Sequence, residues 1–140
     1  MKVIIDNNII LDIFQNRKPF VENSVKILIL VETNHIDGYI TANSVTDIYY
    51  VLNRYLKDKE KIFNYMNILL KIVDIIDVTK KDVKTALHPE INDYEDEIIS
   101  VCAEKTDINY IITRNKKDFS NSAVPALTPK MFLNRFFKNL

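Results

Sequence analysis

Short apolar runs alternate along this chain with longer segments in which apolar residues recur every three or four positions. The short runs have the length and β-branched content of strands, at residues 2–5, 39–41, 73–78, 110–113 and, as an edge strand, 124–127. The longer segments predict helices at residues 9–15, from Pro19 to about 34, 43–56, 62–71, 94–106 and 131–137. A further short helix is expected between Thr79, which suits an N-cap, and Pro89.

Strands that alternate with helices predict a mostly parallel sheet, because parallel neighbours need long crossover connections. These crossovers are right-handed and place helices on both faces of the sheet. We therefore expect an α/β fold with three layers, α/β/α. A chain of 140 residues is long enough for one such domain and too short for two, so residues 1–140 are expected to form a single domain.

Acidic residues stand where the predicted strands and helices meet. Asp6 and Asp118 follow strands, whereas Asp47 and Asp96 lie near helix starts. Ligands of parallel sheets collect beyond the carboxyl ends of the strands, so the fold can bring these acids to one edge. Crowded carboxylates repel each other unless cations lie between them, which predicts a divalent metal site. Taken singly, Asp6 and Asp47 are better explained as a helix cap and a helix-dipole partner, the acids from Asp93 to Glu97 as a solvated helix start, and Asp118 as the end of a turn.

The composition excludes several other classes of function. The 19 basic and 19 acidic residues give no net charge, so nucleic-acid binding would depend on local patches or on bound metal. Gly38 is the single glycine, which rules out the glycine-rich loops that cradle nucleotide phosphates. Two histidines and Cys102 do not make a zinc site, and Cys102 reads as a small buried residue. With no signal peptide or membrane span in view, we expect a cytoplasmic protein.

Four segments occur in an order that resembles the PIN domains, and VapC-like members in particular. They read IIDNNIILD from residue 4, TANSVTDIYYVL from residue 41, DYEDEII from residue 93, and IITRNKKDF from residue 111, followed by VPALTP from residue 124. The resemblance covers essentially the whole chain. Two positions depart from the family pattern: Asp47 stands where Glu is more common, and Asn7 stands where Thr or Ser is usual.

The resemblance implies a ribonuclease that hydrolyses RNA phosphodiester bonds with Mg²⁺ or Mn²⁺, ions that hard oxygen ligands suit. Asp6 and Asp96 are then the primary metal ligands, and Asp47 and Asp118 are flanking or water-mediated ligands. Metal-bound water would attack the phosphodiester. Asp93 would lie just outside the direct ligands, and Asn8 and Asn115 would orient those ligands by hydrogen bonds. The phosphate backbone of the RNA would be contacted by Arg114, Lys116 and Lys117. Either Asn115 or Asp118 could face the metal, and Asp118 is the first choice.

The same resemblance implies a small antitoxin protein as partner and a homodimer. Eight aromatic side chains also favour self-association, because a domain this small cannot easily bury all of them: Tyr49, Tyr50, Tyr55, Phe63, Tyr65, Phe132, Phe136 and Phe137. The alternative is that several tyrosines lie flat on the surface with their hydroxyl groups in water.

Two other functions compete with the nuclease. A PIN scaffold that binds RNA or a protein without cutting stays open because Asp47 is shorter than the usual Glu. A receiver-like signalling domain shares the first strand and Asp6 but requires a phosphate-accepting Asp after a middle strand. Asp47 instead precedes a helical Tyr-Tyr pattern, so the signalling domain fits poorly.

Overall fold

The structure, a computed structural model, describes residues 1–140. The five strands are β1 (Lys2–Ile5), β2 (Asp37–Thr41), β3 (Asp74–Ile76), β4 (Tyr110–Ile112) and β5 (Ala126–Leu127). The seven α-helices are α1 (Asn7–Phe14), α2 (Val21–Glu32), α3 (Ala42–Leu56), α4 (Lys59–Ile72), α5 (Lys80–Ala86), α6 (Tyr94–Lys105) and α7 (Pro129–Phe136). A 3-10 turn follows β4 at Lys116–Phe119.

All five strands are parallel and lie in the order β3-β2-β1-β4-β5, which confirms the predicted parallel sheet. The first strand of the chain is therefore the middle strand of the sheet. Val3 on β1 lies opposite Gly38 on β2 and opposite Tyr110 on β4. Residues that follow β1 consequently emerge at the centre of the carboxyl edge, with a neighbouring strand on each side.

Two apolar cores cover the two faces of the sheet, as expected for three layers. Val3 and Ile5 belong to a core of 21 buried residues shared with α1, α2, α3, α4 and α7. Ile4 points the other way, into a core of 11 buried residues shared with α5 and α6. This alternation follows from the two-residue period of a strand. Each fully buried isoleucine stabilises the fold by about 1.5–3 kcal/mol relative to an exposed one.

Local capping residues set several helix boundaries. Thr79 and Asp82 form a capping box at the start of α5, with Thr79 N–H donating to Asp82 Oδ2 at 2.9 Å. Thr128 accepts a bond from Met131 N–H at 3.2 Å, with Pro129 as the first residue of α7. Both caps were predicted from the sequence, and both are confirmed. They fix where the chain leaves β3 to begin α5 and leaves β5 to begin α7.

Two helix starts and one turn differ from the sequence prediction. The helix expected to begin at Pro19 begins at Val21, after a turn in which Phe20 N–H donates to Arg17 O at 3.0 Å. The helix expected to begin at residue 62 begins at Lys59, because Asp58 accepts a bond from Lys61 N–H and caps α4. The 3-10 turn after β4 was not predicted.

Cys102 is fully buried in the smaller core, as expected for a small apolar residue. Burial raises the pKa of its thiol to about 11, so the thiol stays protonated and is a poor nucleophile.

No helix combines the length and the apolar character that crossing a lipid bilayer requires.

Candidate active site

A cleft of about 330 Å³ opens at the carboxyl edge of the sheet, beside β1. Six acids line it: Asp6, Asp47, Asp93, Glu95, Asp96 and Asp118. The side-chain amides around it belong to Asn7, Asn8, Asn43 and Asn115. The fold therefore brings together residues from four separate stretches of sequence, including all four predicted catalytic acids. Their individual roles stay predictions.

Asp6 lies at the floor of the cleft and is only 7% exposed. It occupies the N-cap position of α1, yet its side chain makes no capping hydrogen bond to that helix. Its carboxylate instead accepts a bond from Thr113 Oγ1 at 2.7 Å, from the residue that follows β4. Burial raises the pKa of Asp6, and the bond from Thr113 lowers it. The carboxylate is held across two strands and left free toward the cleft.

Asp96 lies in the first turn of α6 and faces the same space. The preceding Asp93 is the N-cap of that helix and accepts a bond from Asp96 N–H at 3.0 Å. Burial, and then repulsion from Asp6, Asp93, Asp118 and more weakly Glu95, raise the pKa of Asp96 to about 7. The site thus shows the crowding of negative charge that the sequence predicted. Asp93 has a capping role in addition to any part in the site.

Asp47 lies in the second turn of α3, so the alternative that it complements the helix dipole in the first turn is not supported. Burial raises the pKa of Asp47. Glu95 received no role from the sequence, yet burial and then repulsion from Asp47 and Asp93 raise its pKa. From the sequence alone, the position of Glu95 beside Asp96 at a charged helix start indicates a side chain on the solvated surface. Only the approach of α3 to α6 reveals that it borders the cleft.

Asn115 and Asp118 both line the cleft, so both candidates of the fourth block reach it. Asn115 N–H donates to Thr113 Oγ1 at 3.0 Å, and Asp118 N–H donates to Asn115 O at 3.0 Å. The hydroxyl of Thr113 therefore links Asp6 to the turn that carries Asp118. Repulsion from Asp118 contributes to the raised pKa of both Asp6 and Asp96.

The oxygen atoms around the cleft suit a hard divalent cation. The side-chain oxygens of Asn7, Asn8 and Asn43 are buried without a hydrogen-bond partner, and each such group costs about 1–3 kcal/mol if nothing satisfies it. No three acidic, histidine or cysteine side chains meet around one point closely enough to enclose an ion. Mg²⁺ commonly takes one or two carboxylates and keeps several waters, so this donor set fits it.

Arg114, predicted to contact phosphate, makes a buried ion pair that the sequence did not reveal. Its Nε lies 2.8 Å from Oδ2 of Asp12, a fully buried acid on α1, and its guanidinium lies 4.2 Å from the centre of the Phe20 ring. Any phosphate contact by Arg114 would use the N–H groups that this pair leaves free. Lys116 and Lys117 are exposed and form no ion pair, so the phosphate role predicted for them is unobstructed.

The sequence of this chain matches the family model described as PIN domain over residues 2–117. The chain therefore belongs to the PIN domain family. The resemblance stated from the four acidic segments is confirmed, and the three-layer fold agrees with it.

Several known proteins are similar to this chain. Ribonuclease VapC1 of Aquifex aeolicus is 29% identical over 140 residues, covering 96% of this chain and 95% of that protein. The structure of VapBC2 from Rickettsia felis, bound to a DNA fragment from the promoter, superimposes with a TM-score of 0.70 at 19% identity, covering 91% of this chain and 98% of that one. The structure of Mycobacterium tuberculosis VapC20, described as a sarcin-ricin loop cleaving toxin, superimposes with a TM-score of 0.63 at 13% identity, covering 78% of this chain and 86% of that one.

Proposed function

We propose that this protein is a Mg²⁺- or Mn²⁺-dependent endoribonuclease that acts as the toxin of a toxin-antitoxin pair. The observation that carries the proposal is the acidic cleft, in which Asp6, Asp47, Asp96 and Asp118 line one space at the carboxyl edge of the sheet. The 29% identity to a protein named Ribonuclease VapC1 supports the same activity.

The acids of the cleft are assigned to the cation. Asp6 and Asp96 would hold the cation directly, with Asp118 beside them and Asp47 acting through water. When bound, the cation supplies an acidified water that attacks the phosphodiester. Thr113 keeps the Asp6 carboxylate aimed at the cleft through its 2.7 Å bond. A cation held by these acids would offset the negative charge that, after burial, raises the pKa values of Asp6 and Asp96.

Chelation of divalent cations is expected to abolish RNA cleavage. Purified protein is incubated with single-stranded and structured RNA in Mg²⁺ or Mn²⁺, and then in excess EDTA. We expect cleavage only with the cation, and recovery when the cation is added back. Melting temperature should rise with the same cations, because a ligand of the folded state stabilises it. Cleavage that EDTA leaves undiminished would contradict the mechanism.

A PIN scaffold that binds RNA without cutting is the second candidate, and Asp47 is the residue that favours it. Its side chain is one methylene shorter than the Glu usual at this position, which reduces its reach toward a cation. Asp47→Glu separates the two functions. If the natural protein binds RNA but cuts only after this change, the scaffold function is the correct one.

The partner we propose is a small antitoxin protein that covers the cleft. Supporting similarities include the VapBC2 structure of Rickettsia felis and a toxin-antitoxin complex from Klebsiella pneumoniae, at a TM-score of 0.64 and 22% identity over 91% of this chain and 97% of that one. A reading frame for a small DNA-binding protein beside the gene is the simplest observation that would support this partner.

We also propose a homodimer. The expectation that the eight aromatic residues are not all interior is correct: Phe132 is fully buried, whereas Tyr50, Tyr55 and Phe63 are 61–67% exposed on α3 and α4. A two-fold contact needs only one self-complementary patch, and the exposed rings on these two helices are the contact that we propose.

Sedimentation velocity over a range from low to high micromolar protein is expected to show a monomer that converts to a dimer. Phe63→Glu should shift the conversion to higher concentration, because it places a charge on the proposed contact. Lys80→Glu, on exposed surface at the start of α5, is the control. A strictly monomeric mass at the highest concentration would rule out the dimer.

A further inference from the structure

A groove continues from the acidic cleft along the surface beside β4 and β5. Asn115 and Asp118 border both the cleft and an adjoining depression of about 390 Å³. Arg114 and Thr128 border that depression and a further one of about 420 Å³, which extends to the start of α2. We call this path the basic groove, and its defining residues are Phe20, Arg114, Lys116, Lys117, Thr128 and Lys130.

The three lysines of the basic groove carry positive charge that no ion pair neutralises, whereas Arg114 is paired with Asp12. Lys116, Lys117 and Lys130 are exposed, and none of them takes part in an ion pair. Asp118 is the only acid in its walls, at the end that meets the cleft. In a chain without net charge, three unpaired lysines along one path form a local patch of the kind that holds a phosphate backbone.

Phe20 gives the far end of the groove an aromatic surface. Its side chain is 41% exposed, and the guanidinium of Arg114 lies 4.2 Å from its ring centre. Arg114 is itself held by the buried Asp12, so the ring rests on a fixed support. An exposed aromatic ring beside cations is the arrangement on which unpaired bases stack.

We infer that the basic groove binds the single-stranded RNA segment that continues from the cut phosphate, with the lysines on its phosphates and a base stacked on Phe20. The inference rests on the proposed ribonuclease function. Continuity with the acidic cleft and the absence of carboxylates beyond Asp118 favour RNA over a peptide. Single-stranded RNA fits because a paired base has no free face for the ring.

The first test compares long and short substrates. Phe20→Ala should raise KM about tenfold for a single-stranded RNA long enough to fill the groove, with kcat little changed. A short oligonucleotide confined to the cleft should show no difference. Phe20→Tyr, which keeps the ring, should restore the KM of the long RNA. Tyr49→Ala, on α3 and outside the groove, removes a ring of similar exposure, 43% against 41% for Phe20, and is the matched control.

The second test uses Lys130→Gln, which leaves the Phe20–Arg114 contact intact. Binding of a labelled single-stranded RNA is measured in EDTA with Asp96→Asn as the background, so that the outcome does not depend on cleavage. We expect Phe20→Ala to weaken binding about tenfold. Lys130→Gln should weaken it less and should reduce its dependence on salt.

Each outcome of these tests decides one question. Failure of the natural protein to cut any RNA would overturn the proposed function, while the binding measurement would still decide on the groove. Unchanged RNA binding in both variants would overturn the groove. A loss of kcat on short and long RNA alike would instead make Phe20 a support of Arg114, and that result also overturns the inference.

Discussion

Asp96→Asn should reduce RNA cleavage by about 100-fold or more, the size of effect seen when one well-placed charge-stabilising group is removed. The amide keeps the shape of the side chain but cannot supply a negative ligand to the cation. Asp6→Asn should have a similar effect. Cleavage is measured at saturating Mg²⁺ on one RNA. Glu104→Gln, an exposed acid on the same helix as Asp96, is the control and should keep full activity.

Stability separates a metal ligand from a structural acid in this variant. The pKa of Asp96 is about 7 in the folded protein and close to 3.8 when unfolded. Between these values the folded state takes up a proton that the unfolded state does not, so metal-free protein gains stability as pH falls from 8 to 5. Asp96→Asn lacks this gain. In EDTA at pH 8 it should be more stable than the natural protein by on the order of 1–2 kcal/mol, after allowance for solvent screening.

Urea unfolding in EDTA at pH 8 and pH 5 tests both expectations. The free energy of unfolding of Asp96→Asn should exceed that of the natural protein at pH 8, and this difference should shrink at pH 5. A melting temperature for metal-free Asp96→Asn many degrees below that of the natural protein would show that Asp96 holds the fold together. Asp96 would then be a structural acid, and its assignment as a ligand would be wrong.

Arg114→Gln is expected to destabilise the fold by about 2–4 kcal/mol, because it leaves the fully buried Asp12 without its nearest cation. Arg17, at 3.8 Å from Asp12, offsets part of the loss. Burial already raises the pKa of Asp12, against the lowering effect of Arg114 and Arg17. Loss of Arg114 therefore raises it further, and the variant should be least stable at high pH, where Asp12 must be charged.

Chemical denaturation of a double-mutant cycle measures the pair directly. Asp12→Asn combined with Arg114→Gln should recover much of the stability lost in Arg114→Gln alone, because no buried charge is left unpaired. Lys117→Gln removes an unpaired cation from the neighbouring turn and should change stability by less than about 0.5 kcal/mol. If Arg114→Gln is equally harmless, the ion pair contributes nothing to the fold.

The features that the sequence predicted correctly are those with local causes. The caps at Thr79 and Thr128 are visible because the capping residue and its partners lie within three positions. The α/β architecture follows from the alternation of short and long apolar segments. The four acids were recognised as candidates because each one follows a strand or lies near the start of a helix. The family resemblance then placed them in one site.

The features that the sequence missed depend on contacts between distant residues. Asp12 and Arg114 are 102 positions apart and meet only because β4 lies beside β1. The bond from Thr113 to Asp6 has the same origin, across 107 positions. Glu95 borders the cleft because α6 approaches α3 there. The order of the strands in the sheet determines all of these contacts, and the spacing of apolar residues along the sequence does not reveal that order.

The position of the first strand at the centre of the sheet bears on how the protein is made in the cell. A nascent chain that has reached residue 100 already carries Asp6, Asp47 and Asp96, but one edge of β1 is still open. Only the later synthesis of β4 closes that edge, brings Thr113 onto Asp6 and adds Asp118. The proposed nuclease therefore cannot complete its site until the chain has been synthesised through β4 and Asp118.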